Sequence, residues 1–183
     1  MREFLIYSRG HTGGKIGKEI RNYGRLDVVA QVIRSAFFIS GDTRKNVMLH
    51  LSLNGPPRPP LYLKFNYKTI CTRDVEKLIR RSISGRKTDY LIKEKKTFID
   101  IVKNLHENNK NIFILDKRGE NISNIKFKEE DNVFILGDDK GIPKLERKLI
   151  SKIARKISIG PKMYMASQCV SFLNIYLDIK NIY

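Results

Sequence analysis

Short apolar runs alternate with longer amphipathic stretches along this chain. Six runs have the length and composition of β-strands: Phe4–Tyr7, Val47–Leu53, Leu61–Phe65, Ile112–Leu115, Val133–Leu136 and Ile157–Ile159. The last three barely alternate. "IFIL" and "VFIL" put apolar side chains on both faces, as in parallel strands covered on both sides. Between the runs, apolar residues recur at helical spacing. The stripes are Leu26, Val29, Ile33, Ala36 and Phe37; Phe98, Ile101, Val102 and Leu105; Leu145, Leu149 and Ile153; and, after residue 165, Ala166, Cys169, Val170, Leu173 and Leu177. Each stripe is expected to face the core. Strands alternating with helices predict an α/β fold, with a mainly parallel sheet and crossover connections. The segment 73–96 carries Arg73, Lys77, Arg80, Arg81, Arg86, Lys87, Lys93, Lys95 and Lys96 among few apolar residues. It reads as a helix, a mobile loop and a short connection. "GHTGG" (10–14) reads as a flexible loop.

Composition narrows this picture. A length of 183 residues suits a single domain spanning 1–183, and 41% hydrophobic residues suffice for a core and argue against disorder. The net charge of +17 favours a polyanionic partner such as nucleic acid. Part of that excess reflects a chain rich in Lys, Ile and Asn throughout. No apolar run approaches the roughly 18 residues a membrane span needs. The N-terminus lacks a signal-peptide core, so a cytoplasmic location is expected. Cys71 and Cys169 are too few for a disulfide framework or a zinc site, and no histidine or carboxylate cluster has ligand spacing, so no metal is expected.

Candidate chemistry lies at three strand ends. Leu115 runs into "DKRGEN", Leu136 into "GDDKGIP" and Ile159 into "GPKMYMASQC". Ligands bind at the C-terminal ends of parallel strands in open α/β folds, and glycine lets a ligand approach the backbone closely. Neither the dinucleotide G-x-G-x-x-G nor the Walker A pattern occurs, and no Ser/His/Asp arrangement is suggested. The pocket therefore suits a cofactor held by backbone groups and apolar walls. The stripe Lys144, Lys148, Lys152 and Arg155 reads as a solvated helix face.

Five stretches together resemble one family: "YGRLDVVAQVIRSAFFISGDTRKNV" (23–47), "LNGPPRPPLYLKF" (53–65), "FILDKRGENI" (113–122), "VFILGDDKGI" (133–142) and "ISIGPKMYMASQC" (157–169). The chain is similar to the archaeal-type tRNA pseudouridine N1-methyltransferases of the SPOUT superfamily. The resemblance implies an α/β fold with a C-terminal deep trefoil knot, homodimers with the knots at the interface, and S-adenosylmethionine (SAM) held in the knot. Carried over residue by residue, it implies cofactor contacts at Leu115, Gly137, Ile159, Gly160 and Cys169, with Leu136, Gly141 and Met165 as neighbours. It places Arg25 and Asp27 at the target base of a tRNA, where they would be catalytic, and Arg44 near an RNA phosphate. The implied reaction is methyl transfer to N1 of pseudouridine, at position 54 of the TΨC loop. No metal is required, because the sulfonium loses its charge as the methyl leaves.

The chain departs from the family pattern at Met165 and Gln168, where histidines are usual, at Gly41, and at Val75 beside Asp74. These are polar positions, and they leave open two other readings. One is methylation of another RNA, such as small-subunit ribosomal RNA. The other is a noncatalytic RNA-binding or ribosome-assembly factor of the same fold.

Overall fold

Successive residues of the central strands enter two different hydrophobic layers, which fixes the three-layer build. Phe4, Ile6, Phe134 and Leu136 pack on one side of the sheet. Their chain neighbours Leu5, Tyr7, Val133 and Ile135 pack on the other. The computed structural model describes residues 1–70, 72–85 and 90–182. Cys71 and, from the basic segment, Arg86 and Lys87 lie outside the described residues.

In chain order the elements are β1 (Arg2–Ser8), α1 (Leu26–Phe37), a small hairpin of β2 (Phe38–Ile39) and β3 (Asp42–Thr43), β4 (Val47–Leu53), β5 (Leu61–Phe65), α2 (Val75–Ser84), β6 (Ile92–Glu94), α3 (Phe98–Glu107), β7 (Asn111–Asn121), β8 (Asn132–Gly137), α4 (Lys144–Ile150), β9 (Arg155–Ser158) and α5 (Ala166–Ile179). One sheet runs in the order β6-β5-β4-β1-β8-β7-β9. Strands β4, β1, β8, β7 and β9 are mutually parallel, and β5 and β6 add an antiparallel edge. Helices α1, α2 and α5 cover one face, while α3 and α4 cover the other. Among the described residues, no helix is long and apolar enough to cross a membrane.

The predicted runs at 47–53 and 61–65 are strands over those same residues, and the stripes on α1, α3 and α5 face inward. The stripe on α4 does not. Leu145 and Leu149 are 68% and 46% exposed, while Ile150 is buried. Arg147 is ion-paired with Asp116 at the sheet. Ile150 lies three residues on, on the same helical face, so that pairing turns Ile150 inward and Leu145 and Leu149 outward. Ile153 falls beyond the end of this helix. Lys144 and Lys148 are exposed on α4, as a solvated helix face requires, whereas Lys152 lies past the helix and Arg155 opens β9, paired with Glu120 at 2.6 Å.

Two short elements carry too little periodicity to be read in advance. They are the β2–β3 hairpin and the edge strand β6, which arises inside the basic segment. The "GHTGG" loop is fastened to its surroundings at some positions and open at others. Thr12, Ile16 and Ile20 are buried, and His11 N–H donates to Tyr23 O at 3.2 Å. Of its glycines Gly10 serves close packing, since a Cβ there would lie 2.6 Å from Leu26, whereas Gly14 has φ of 79° and a Cβ there would meet nothing within 4 Å; just past the motif, a Cβ on Gly17 would lie 2.8 Å from Tyr23 Oη.

Candidate functional site

The parallel strands all end on one side, and two neighbouring sites are built there. The first is a cavity of about 400 Å³ between the ends of β7, β8 and β9 and the start of α5. Leu115, Leu136, Gly137, Gly141, Ile159, Gly160 and Cys169 line it. Met165 does not. It precedes α5, is 58% exposed, and its N–H donates to Gln168 Oε1 at 3.0 Å. That bond gives the family-atypical Gln168 a local task, closing the first turn of α5.

The loops form the cavity for local reasons. β7 leaves the sheet after Leu115 and returns at Glu120; both residues pair with Ile157. Gly119 makes the return possible, since a Cβ there would lie 2.5 Å from the Ile157 backbone. The excursion puts Asp116, Lys117 and Arg118 on the cavity wall. Gly137 presses on the backbone of Gly141 and Ile142, where a Cβ would come within 2.6 Å. Gly160 has φ of 153°, a conformation that favours glycine, and Ser158 Oγ both donates to its carbonyl and accepts from its N–H. Sequence reading did not single out Asp116. Its signal was its place directly after Leu115 at a strand end. It is the one carboxylate among the lining residues described, beside Lys117, Arg118, Arg147 and Lys162. Burial pushes the Cys169 thiol up to about 11, so it stays protonated at neutral pH and serves as an apolar wall rather than a nucleophile.

The second site lies at the ends of β1 and β4. Arg25 precedes α1 in a left-handed backbone conformation, with φ of 59°. From there its guanidinium donates to both carboxylate oxygens of Asp27, at 2.9 and 3.0 Å. These bonds hold the Asp27 carboxyl below the usual carboxylate range. Arg25 also donates to Asp139 at 3.3 Å. The adjacent Asp138 is nearly fully buried and pairs with Arg9 through both the backbone N–H and the guanidinium of that residue. Arg9 also donates to Gly141 O at 3.1 Å. The two carboxylates of "GDDKG" thus tie the Arg25–Asp27 pair to the loop that forms the cavity wall. Arg9, Asp138 and Asp139 were not picked out from the sequence, because the charge pattern alone does not say which acid meets which base.

Arg44 is not part of this assembly. It pairs with Asp178 of α5 at 2.7 Å and is mostly buried. Asp178 also pairs with Arg2, at the start of β1. Arg44 therefore sits at the opposite end of the parallel strands from Arg25 and Asp27.

Comparison with known proteins fits this geometry. The family model of SAM-dependent RNA methyltransferases matches residues 1–182. The chain is 33% identical over 97% of both chains to a tRNA (pseudouridine(54)-N(1))-methyltransferase of Thermococcus gammatolerans. It is 32% identical to an enzyme of the same name from Methanococcus maripaludis, covering 97% of this chain and 98% of that one. Among solved structures it is similar to Archaeoglobus fulgidus Nep1 bound to S-adenosylhomocysteine, with a TM-score of 0.56 and 14% identity over 91% of this chain and 76% of that one. This last likeness concerns the fold alone. It matches the mainly parallel α/β architecture expected above.

Proposed function

The chain belongs to the family of SAM-dependent RNA methyltransferases, and from that premise we propose that it methylates N1 of pseudouridine at position 54 of tRNA. The observation that carries this reading is the bidentate Arg25–Asp27 pair, fastened through Asp139 to the loop of Gly137 and Gly141. A substrate base and a methyl donor would meet across that fastening.

The cavity fits the donor. Its volume lies in the range that small cofactors occupy. Its apolar residues and close-packed glycines suit the adenosine, and Asp116 offers a carboxylate to the ammonium of the amino-acid end. SAM supplies an electrophilic methyl group on a sulfonium. In this reading Leu115, Leu136, Gly137, Gly141, Ile159, Gly160 and Cys169 hold it. The chain's own residues do the rest by positioning. Pseudouridine exposes an N1–H because its glycosidic bond is to carbon. Methylation would form the N1–C bond as the S–C bond of the donor breaks, leaving a neutral thioether, and the N1 proton would pass to water. Asp27, already ionised and hydrogen-bonded by Arg25, is a weak base. Its role is to accept a hydrogen bond from the ring and fix the orientation of the base. Arg25 is placed to stabilise negative charge developing on a uracil oxygen. Arg44 takes no part in this chemistry within the same chain.

The working form is a homodimer of single-domain protomers acting on tRNA in the cytoplasm, with the C-terminal segment knotted. Phe172, Ile175 and Ile179 support the dimer: they form an exposed apolar row on α5, close in sequence to the cavity residues. Ile175→Asp should yield monomers in sedimentation, and an unchanged mass would remove this support.

The decisive experiment uses labelled SAM and two tRNA transcripts that differ only in pseudouridine or uridine at position 54. Label should pass to the pseudouridine transcript alone. Transfer to neither, with SAM binding intact by calorimetry, would overturn the assignment and direct the next assay to ribosomal RNA.

A further inference from the structure

The loop "NGPPRPP" and the N-terminal loop are held together more firmly than the cavity needs. Asn54 Nδ2 donates to Ser52 O and Ser8 O, which fixes the loop to the ends of β4 and β1. Gly55 packs on the backbone of Arg9, where a Cβ would lie 2.2 Å from the carbonyl oxygen. Thr12 then binds the loop three times. Its N–H donates to Pro56 O at 2.8 Å, its hydroxyl donates to Gly55 O at 2.9 Å, and the same hydroxyl accepts from Arg58 N–H at 3.0 Å. Four prolines flank Arg58, restricting its backbone further.

The product of this construction is one exposed arginine. Among the described residues, the Arg58 guanidinium makes no ion pair and no hydrogen bond. Its close charged neighbour is another cation. Lys93 donates to Ser82 O and Ile83 O at the end of α2, at 2.8 and 3.0 Å. Burial and the nearby Arg58 charge push the Lys93 ammonium below its ordinary value. On the other flank, Arg80 of α2 donates to Gly17 O and Lys18 O, holding the stretch that exposes Lys15 and Lys18. Among the described residues, Glu76 pairs with Arg80 alone. Arg58 and Lys93 repel each other, and an anion placed between them relieves the repulsion, while the exposed Glu19 adjoins only the far end of the Lys15–Lys18 edge.

We propose that Arg58, Lys93 and the Lys15–Lys18 edge of the N-terminal loop bind backbone phosphates of the RNA strand flanking the nucleotide held at Arg25 and Asp27. The proposal rests on the reading of an RNA substrate and says which face carries it. Continuity supports RNA, since the same N-terminal loop leads through Tyr23 and Gly24 into Arg25. An anionic membrane fits less well. Residues 10–18 and 54–60 expose no large apolar side chain, Tyr90 and Ile92 beside Lys93 are the exposed ones nearby, and surface-bound membrane segments bury a continuous apolar face.

The test is binding of a fluorescent TΨC stem-loop containing pseudouridine, measured by anisotropy across a salt titration with S-adenosylhomocysteine present. Arg58→Ala and Lys93→Ala should each weaken binding several-fold and lower the slope of log affinity against log salt by about 0.7–0.9. Arg58→Lys, which keeps the charge, should retain most of the slope. Lys103→Ala on α3, on the other side of the sheet, should match the wild type. Retained S-adenosylhomocysteine affinity shows that each variant is folded. Wild-type affinity and slope in both alanine variants would overturn the proposal. A wild-type protein that binds S-adenosylhomocysteine but no RNA would overturn the function reading, and this face with it.

Discussion

The two sites at the strand ends recognise by opposite means. The cavity between β7, β8 and β9 is shaped by glycine backbones and apolar side chains, with Lys117, Arg118, Arg147 and Lys162 on its wall and Asp116 as its one carboxylate among the described lining residues. The neighbouring face at β1 and β4 is built from ionised side chains: Arg25 with Asp27 and Asp139, and Arg9 with Asp138. A small neutral surface such as adenosine is selected by shape, through backbone that can approach closely. A polyanion is selected by charge, and its binding weakens with salt. The cavity should therefore be sensitive to added bulk and tolerant of salt, and the face the reverse. The largest expected effect is on the charged side. Asp27→Asn leaves the shape intact but removes the carboxylate that fixes the base and holds Arg25. It should cut single-turnover methyl transfer by about 10³-fold, a typical loss for a positioned polar group. Calorimetry should find SAM binding unchanged. Wild-type turnover in the variant would remove Asp27 from the site.

How far these two regions were legible in advance follows from how each is made. The cavity glycines sit directly after strands whose apolar runs are unmistakable, so Gly137 and Gly160 could be placed by position alone. The same local logic missed Asp116 as a site residue, because the excursion of β7 depends on Gly119 meeting Ile157, a contact across two strands. It also turned α4 the wrong way, since Leu145 and Leu149 are apolar but the anchoring contact is Arg147 with Asp116. The charged face was legible only through the family motif "GRLD". Charge carries no periodicity, and nothing local distinguishes Arg44, neutralised by Asp178 at the far end of the strands, from Arg25 at the site. For "GHTGG", counting glycines did not show that Gly10 packs on Leu26 while Gly14 is open.

The second prediction tests the cavity by bulk. In Gly137→Ala the new Cβ would lie within 2.6 Å of the Gly141 and Ile142 backbone, so the loop must shift. Overpacking of this kind costs about 1–3 kcal/mol, and about 2 kcal/mol corresponds to roughly 30-fold weaker SAM binding. Affinity for RNA, measured without cofactor, should hold close to wild type and show that the protein is folded. A parallel loss of RNA affinity would mean that the two sites move together through Asp138 and Asp139, and the contrast between them would fail.

The smallest expected effect probes the one carboxylate among the described residues that line the cavity. Asp116 is an almost fully buried carboxylate that accepts from Arg118 N–H at 3.0 Å and pairs with Arg147. S-adenosylhomocysteine carries an ammonium and a carboxylate at its amino-acid end; 5′-methylthioadenosine has neither. If Asp116 receives the ammonium, Asp116→Asn should weaken S-adenosylhomocysteine by about tenfold, the scale of one charge-assisted hydrogen bond, and leave 5′-methylthioadenosine unchanged. Arg147→Met removes the competing cation and should leave the homocysteine ligand bound as tightly or more so. An equal loss of both ligands in Asp116→Asn would assign the carboxylate a different task. It would then act by holding the 116–119 excursion and α4 in place, and the cavity would select by shape alone.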